Sequence, residues 1–315
     1  MNKKILITYF EPFAGRDINI SKEVVTSIRK YRNLELSVCW NKVENVLLNN
    51  ISEDIEYIFL VGEASSYHDV TIELVARNIA SGVDNEGTSK SEEAIVPSAS
   101  NLVTPIIFNQ KDLDVSFSYN AGKFLCNYTY YQALRHFRNK QIVFIHLPYP
   151  RDDLTIKDIK KKLVSIIKYV THNPYKLEIE FYQKTNKEAM NIRQEVFIKE
   201  QGFEYEFDGI DYVATHFLIY KKDTAIGTCR LFFDDELKAY HLGRLAIRKK
   251  YRHQGIGTML LTEVDKYLYK LNAEEVVLGS QIQATKFYEN SRYKQFGEVY
   301  LDEGAEHIHM KKELI

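Results

Sequence analysis

The sequence predicts an α/β protein of two domains: a layered α/β/α sheet domain over residues 1–170, a linker at 171–176, and a mixed α/β domain over 177–315. Three observations carry this expectation. The chain has 315 residues, about twice the length of a typical single domain. Short apolar runs alternate with amphipathic segments through the first half, the pattern of a sheet covered by helices on both faces. In the second half, the apolar run at 242–247 leads into a basic turn, and Gly255 and Gly257 then open a helical periodicity at Leu260, Leu261, Val264, Leu268 and Leu271.

The elements of the first half follow in order. Residues 5–10 read as a strand and 11–19 as a loop with Pro12 and Gly15. Ser21 can cap a helix carrying Val24, Val25 and Ile28. Residues 34–40 read as a second strand, Leu47 and Leu48 sit on a short helix, and 55–61 is a buried third strand. Residues 70–78 are extended, and 81–100, rich in Ser, Gly and Glu, read as an exposed loop. A strand at 115–119 precedes a helix opening at Ala121 and Gly122, with Phe124, Tyr128, Tyr131, Leu134 and Phe137 on one face. A last strand at 142–146 and an amphipathic helix at 155–170 close the domain.

Asn173 and Pro174 mark the linker. After it, 177–182 is a strand, 186–199 a helix, and Asp208-Gly209 a turn. Strands at 216–220, 224–233 and 236–247 come before the glycine turn and its helix. A strand at 276–278, a short helix at 284–290 and a hairpin of 298–300 with 307–310 end the chain.

Composition excludes several classes. The net charge is −1 and the pI near 6.8, so no strongly basic field attracts nucleic acid. The 22 tyrosines, interleaved with lysines, fit ordinary half-buried surface better than base stacking. Cys39, Cys126 and Cys229 are scattered without a C-x-x-C pair, which argues against zinc. With no export signal in the opening residues, they suggest reduced thiols and a cytoplasmic protein. No run approaches the ~20 apolar residues of a membrane span. His307 and His309 share one strand face, but two histidines without an acidic partner do not make a metal site, and no metal is expected. A homo-oligomer is left open.

Two stretches carry chemistry. Cys126 lies near a helix N-terminus, where the dipole favours the thiolate. His146 ends a strand of an α/β sheet, where ligands bind, and Glu73 can orient it. Nucleophile, base and orienter follow the logic of a triad, although a buried thiol and a core histidine would fit the same residues. The second stretch, Arg252, His253, Gln254, Gly255, Ile256, Gly257 and Thr258, joins a strand to a helix N-terminus. Glycines there let backbone N–H groups approach a phosphate.

The first half resembles the pyroglutamyl peptidase I family over about residues 1–170. The motifs are 9–15 with Asn19, then Thr71-Ile72-Glu73 with Val75, Ala76 and Asn78, then 120–127, then 144–148. The resemblance implies Cys126 as nucleophile, His146 as base, Glu73 as its orienter, and Phe10, Phe13 and Asn19 around a pyroglutamate pocket. This chain departs at Glu63, where the family usually has Gln, at Tyr67, where it has Arg, and at Ala14, where it has Gly. The family's arginine near the oxyanion has no counterpart in 79–87. An ionised Glu63 only accepts hydrogen bonds, so it suits a donor-bearing substrate group better than a lactam carbonyl. Together the departures predict a working triad whose substrate choice has moved from plain pyroglutamyl peptides.

The second half resembles the GNAT acyltransferases over about residues 177–315. The motifs are 193–197, Glu200-Gln201, Asp208-Gly209, His216, 227–231, the glycine turn, Ser280-Gln281, Ala284, Phe287-Tyr288 and 304–310. The resemblance implies acetyl-CoA (coenzyme A) as cofactor, its pyrophosphate held by the amides of the glycine turn and its pantetheine arm along a splayed strand. Backbone groups of Leu245, Ala246 and Ile247 would polarise the thioester, and Tyr288 would be the acid for the leaving thiolate. His241, His216 and Glu195 remain open as the base. Arg292 stands where the family has a glycine.

The combined reading is a bifunctional enzyme: an acetyl-CoA-dependent N-acyltransferase acting on a small-molecule or peptide amine, fused to a cysteine hydrolase. The alternative is an active transferase carrying a catalytically inactive ligand-binding or docking domain.

Overall fold

The computed structural model describes residues 2–302 and 304–314. They form two compact units, residues 1–106 with 110–174, and residues 107–109 with 175–315.

The first unit runs β1 (Asn2–Phe10), α1 (Ile20–Thr26), β2 (Tyr31–Leu36), α2 (Trp40–Asn50), β3 (Tyr57–Glu63), β4 (Thr71–Glu73), β5 (Val75–Ala76), β6 (Ala80–Val83), β7 (Ser89–Glu93), β8 (Leu102–Val103), β9 (Ser116–Ser118), α3 (Leu125–His136), β10 (Gln141–Leu147) and α4 (Ile156–His172). Its six-stranded sheet has the order β2-β1-β3-β10-β4-β9. The β2-β1-β3-β10 block is parallel, β4 is antiparallel to β10, and β9 is parallel to β4. Ile58 to Leu60 and Ile142 to Ile145 are wholly buried, as expected of central strands covered on both faces. The parallel block brings the C-terminal ends of β1, β3 and β10 together, and those ends carry Phe10, Glu63 and His146.

Several local expectations are corrected. Residues 81–100 contain the β6–β7 hairpin; its exposed polar residues show none of the apolar alternation that marks a strand. Asn19, not Ser21, caps α1, its Oδ1 accepting from the Ser21 N–H and hydroxyl. Helix α2 starts at Trp40, inside the stretch read as a strand. Its N-cap residue Cys39 has no side-chain cap bond, and Asp84 beyond β6 accepts from the Trp40 N–H at 2.9 Å instead. Helix α3 starts at Leu125 because Gly122 (φ +84°) keeps the chain out of the helix until then. Helix α4 has a full capping box between Thr155 and Asp158 and runs on to His172, into the stretch read as linker. Asn173 ends it in the left-handed region (φ 37°), just before Pro174.

The second unit runs β11 (Leu177–Gln183), α5 (Lys187–Arg193), β12 (Thr215–Lys221), β13 (Thr224–Asp234), β14 (Ala239–Ile247), α6 (Ile256–Lys270), β15 (Glu275–Gln281), α7 (Thr285–Glu289), β16 (Lys294–Asp302) and β17 (Ala305–Glu313). Its sheet order is β11-β12-β13-β14-β15-β17-β16. Every pair is antiparallel except β14 with β15. That parallel ladder holds only at Tyr240–Val276 and His241–Val277, and the two strands then part. Beyond the parting, Arg244 takes a left-handed conformation (φ 54°). The helix expected over 186–199 changes character at Gln194, where α5 passes into π-helical turns ending at Glu200. Such turns widen a helix and recur at functional sites.

Beneath this sheet lies a buried ionic network. Arg193 donates to Glu206 at 2.6 Å and to both oxygens of Asp211. Arg230 donates to Asp211 at 2.8 Å and to both oxygens of Asp208. Burial opposes the charge on Asp211, but the hydrogen bonds and charges of Arg193 and Arg230 outweigh it and hold the carboxyl down at about 2. That value lies below the ~3.9 of an unfolded aspartate. The stabilisation is therefore complete above pH ~4 and is lost as pH falls through about 2. Asp211→Asn leaves two guanidiniums short of charge in the interior, so we expect a loss of about 3 kcal/mol or more in urea unfolding of the second unit. The variant's stability should also fall less steeply than wild type between pH 4 and 2.

Candidate functional site

In the first unit, sheet register assembles the site. Strands β10 and β4 pair Phe144 with Glu73 and His146 with Thr71. The Glu73 Oε1 lies 2.8 Å from His146 Nδ1. A carboxylate only accepts, so Nδ1 carries the proton and Nε2 is the nitrogen left to interact with Cys126. Cys126 is the second residue of α3, in the turn whose N–H groups have no partner within the helix. Burial pulls the His146 proton affinity down, but its hydrogen bonds to Cys126 and Glu73 and their charges outweigh this and raise it to about 10. The imidazole is thus a stronger base than free histidine. The structure brings all three residues named from the sequence into one constellation.

Two further groups serve this constellation. The Tyr67 hydroxyl donates to Glu73 Oε1 at 2.9 Å, the oxygen His146 also uses, and its ring meets the imidazole edge-on at 5.4 Å. Burial and the Glu73 charge push the Tyr67 phenol up to about 12, which keeps it a donor. Gly62 on β3 makes room for the thiol: a Cβ there would lie 2.8 Å from Cys126 Sγ and 2.9 Å from the Phe144 ring. Sequence reading noticed Tyr67 only as a departure and Gly62 not at all, because neither residue's role has a local pattern.

The residues expected around a substrate are placed as follows. The Phe10 ring packs on Phe144, which lies 4.8 Å from the His146 ring. Phe13 meets Phe124, the residue before α3, at 6.0 Å. Asn19 is buried, its Oδ1 on Ser21 and its Nδ2 on the Glu11 carbonyl. Glu63 accepts from Arg16, from the Ile20 N–H and from the Tyr149 hydroxyl, each at 2.9 Å. Its oxygens thereby tie the 13–20 loop to the end of β3. Ala14 and Gly15 are both left-handed in that loop. Arg77, missed in the sequence, has its guanidinium 3.5 Å from Asn120 Oδ1, on the loop into α3.

In the second unit, a cleft of ≈ 240 Å³ opens where β14 and β15 part. Leu245, Ser280 and Tyr288 line it, with Phe197, Phe203, Glu206, Arg244 and His307. Ala246 and Ile247 pair with β13 on one edge of β14, while the other edge faces the parting. Burial, with Cys229 nearby, raises the Tyr288 phenol, so it stays protonated. Beyond β14, Gly255 is left-handed (φ +80°) and opens α6, and a Cβ on Gly257 would crowd Phe287 at 3.1 Å. The backbone N–H groups from His253 to Thr258 donate to no group among the described residues. Asn109, which belongs to this unit, bonds the Gln254 carbonyl and leaves those amides alone. The Arg252 guanidinium is held by Glu200 at 2.6 and 2.8 Å and by the Ile247 carbonyl at 2.8 Å, so it braces the turn. Arg292 is left-handed (φ 72°), a conformation that glycine adopts freely.

Two substitutions test the first constellation. Tyr67→Phe removes one donor from a buried carboxylate; the pH midpoint of Cys126 alkylation by iodoacetamide should move, and stability in denaturant titration should fall by about 1–3 kcal/mol. Gly62→Ala should displace the thiol, slowing alkylation and costing about 1–3 kcal/mol of stability in denaturant titration.

Both halves of the chain match known protein families. Residues 3–172 match the model of the pyroglutamyl peptidase family, and residues 182–314 match the acetyltransferase (GNAT) domain. A pyrrolidone-carboxylate peptidase of Fusobacterium nucleatum is 32% identical over 168 residues, 47% of this chain and 78% of that protein. One of Thermosipho africanus is 33% identical over 178 residues, 50% of this chain and 87% of that protein. A solved structure of a mutant pyrrolidone carboxyl peptidase from Pyrococcus furiosus aligns at 25% identity with a TM-score of 0.49, covering 54% of this chain and 99% of that one. With residues 3–172 of its 315 matched, the chain belongs to the pyroglutamyl peptidase family, and it carries a GNAT acetyltransferase domain after that region.

Proposed function

We propose that the chain is a bifunctional enzyme, a cysteine peptidase of the pyroglutamyl type fused to an acetyl-CoA-dependent N-acyltransferase. The observation that carries the hydrolase half is the 2.8 Å bond between His146 and a buried Glu73, with Cys126 as the ring's other partner.

The hydrolytic steps follow from this arrangement. His146 takes the Cys126 proton, and the thiolate adds to the amide carbonyl. The N–H groups of the first turn of α3 are the donors this reading assigns to the developing oxyanion. His146 then returns the proton to the departing amine, and the C–N bond breaks. Water, deprotonated by the same imidazole, releases the acid and restores the thiol. With no arginine in 79–87 to assist the oxyanion, turnover of plain pyroglutamyl substrates is expected to lie about 10²–10³-fold below that of a site with its full donor set.

The second half fits coenzyme A. The unpartnered N–H groups of 253–258 and the N-terminus of α6 would hold the diphosphate. Gly257 keeps the turn close against Phe287. Bound acetyl-CoA supplies an activated thioester. The open edge of β14 at Leu245 offers main-chain groups to it, and Tyr288 holds a proton at its Oη for the leaving sulfur.

Iodoacetamide labelling followed by peptide mass mapping tests the hydrolase half. Cys126 should react about tenfold or more faster than Cys39 and Cys229, which are buried. Cys126→Ala should abolish hydrolysis of pyroglutamyl aminomethylcoumarin. Equal labelling of the three thiols would remove the peptidase reading.

A further inference from the structure

We propose that His307 is the general base of the transferase cleft; this rests on the transferase reading above. The sequence brought His307 forward only as half of a histidine pair on one strand face. The structure places it in the lining of the cleft that also holds Tyr288, Leu245 and Ser280.

The ring is built to act as a base. Its Nδ1 lies 3.0 Å from the Ala305 carbonyl oxygen. A carbonyl only accepts, so Nδ1 carries the hydrogen, and in the neutral ring the lone pair sits on Nε2. Nε2 has no hydrogen-bond partner among the described residues. The ring stacks on Tyr300 at 5.8 Å and 28°, and β17 pairs His307 with Tyr300 on one side and Gln281 on the other. It is held still, with one basic nitrogen left over.

The other candidates are occupied elsewhere. His216 is fully buried with Nε2 on the Asp211 carbonyl. His241 stacks on Phe232 at 5.0 Å, and burial lowers its proton affinity. Neither lines the cleft. Glu195 is paired with Arg248 at 3.1 Å. Glu206 does line the cleft, but Arg193 and Arg244 hold its two oxygens at 2.6 and 2.9 Å.

The cleft lining also carries Glu206, compensated by Arg193 and Arg244, and the carboxylate of Asp302, with the protonated phenol of Tyr288, while Tyr300 stacks on the His307 ring. An amine that arrives as an ammonium must lose a proton before it can attack. In the transfer, the amine nitrogen forms the new C–N bond as the thioester C–S bond breaks. His307 Nε2 first takes one proton from the ammonium and passes it to solvent. On attack the second surplus amine proton goes to His307 Nε2, the sulfur takes the proton of Tyr288 Oη, and the imidazolium proton then returns to the Tyr288 phenolate through solvent.

The full-length chain, labelled with ¹⁵N-histidine, gives a readout independent of turnover. His307, assigned by comparison with His307→Gln, should show the Nδ1–H tautomer; an Nε2–H tautomer overturns the proposal. Thiol release from acetyl-CoA is then followed with L-lysine and with tri-alanine as probe amines. For His307→Gln we expect kcat/KM to fall about 10²–10³-fold and the acid-side limb of the wild-type pH profile to disappear, with KM for acetyl-CoA unchanged. Urea unfolding of the second unit at the wild-type midpoint shows that the variant is folded, and His309→Gln on the neighbouring exposed position should transfer normally. Equal release by wild type and His307→Gln overturns this proposal alone. No release by wild type with either amine overturns the transferase reading and the base with it.

Discussion

A carboxylate sealed away from water organises the first unit. Glu73 is fully buried, and a buried charge is tolerable only when other groups compensate it. Its Oε1 is shared by the His146 imidazole and the Tyr67 hydroxyl. The antiparallel pairing of β4 with β10 puts the acid beside the base, and the parallel run of β3 beside β10 puts Gly62 where the thiol needs space. The chemistry of Cys126 is thus a consequence of where one acid must find its hydrogen-bond donors. Tyr67 stands where related proteins are expected to carry an arginine. A neutral donor there leaves more of the Glu73 charge to act on His146 than a guanidinium would.

The second unit solves a different problem, how to present backbone donors that are not already spent. Strand β14 is paired with β13 along nearly its whole length, yet it leaves β15 after two residues, so one edge stays open. Gly255 in the left-handed region turns the chain directly into α6 and leaves the first amides of that helix without acceptors among the described residues. The rigidity that keeps such groups aligned comes from below, where Arg193 and Arg230 lock Glu206, Asp208 and Asp211 together. Arg252 belongs to the same bracing: its bond to Glu200 ties the glycine turn to the end of the π-helical segment.

Local pattern was enough where burial alone decides structure. The central strands β3 and β10, the amphipathic α4 and the helix α6 were all legible, because apolar spacing reports which face meets a core. It failed where a distant side chain does the deciding. Trp40 starts a helix because Asp84, 44 positions away, accepts its N–H, and no window around Trp40 contains that acid. The β6–β7 hairpin pairs residues too polar to advertise a strand. The π-helical turns after Arg193 follow a residue whose guanidinium is bound 13 and 18 positions away.

The same division holds for the two sites. By itself the sequence determined which chemistry-bearing residues exist and on which elements they sit: a thiol at a helix start, a histidine at a strand end, glycines between a strand and a helix. Only the tertiary structure decided which of them act together. It assigned Tyr67 to Glu73, engaged Glu63 and Asn19 in holding their own loops, and put His307 in the lining of a cleft with its Nδ1 on the Ala305 carbonyl. The physical reason is that a side-chain hydrogen bond depends on separations of a few tenths of an ångström between residues brought together by sheet register. Hydrophobic periodicity records burial, and burial does not say which polar partner a side chain will meet.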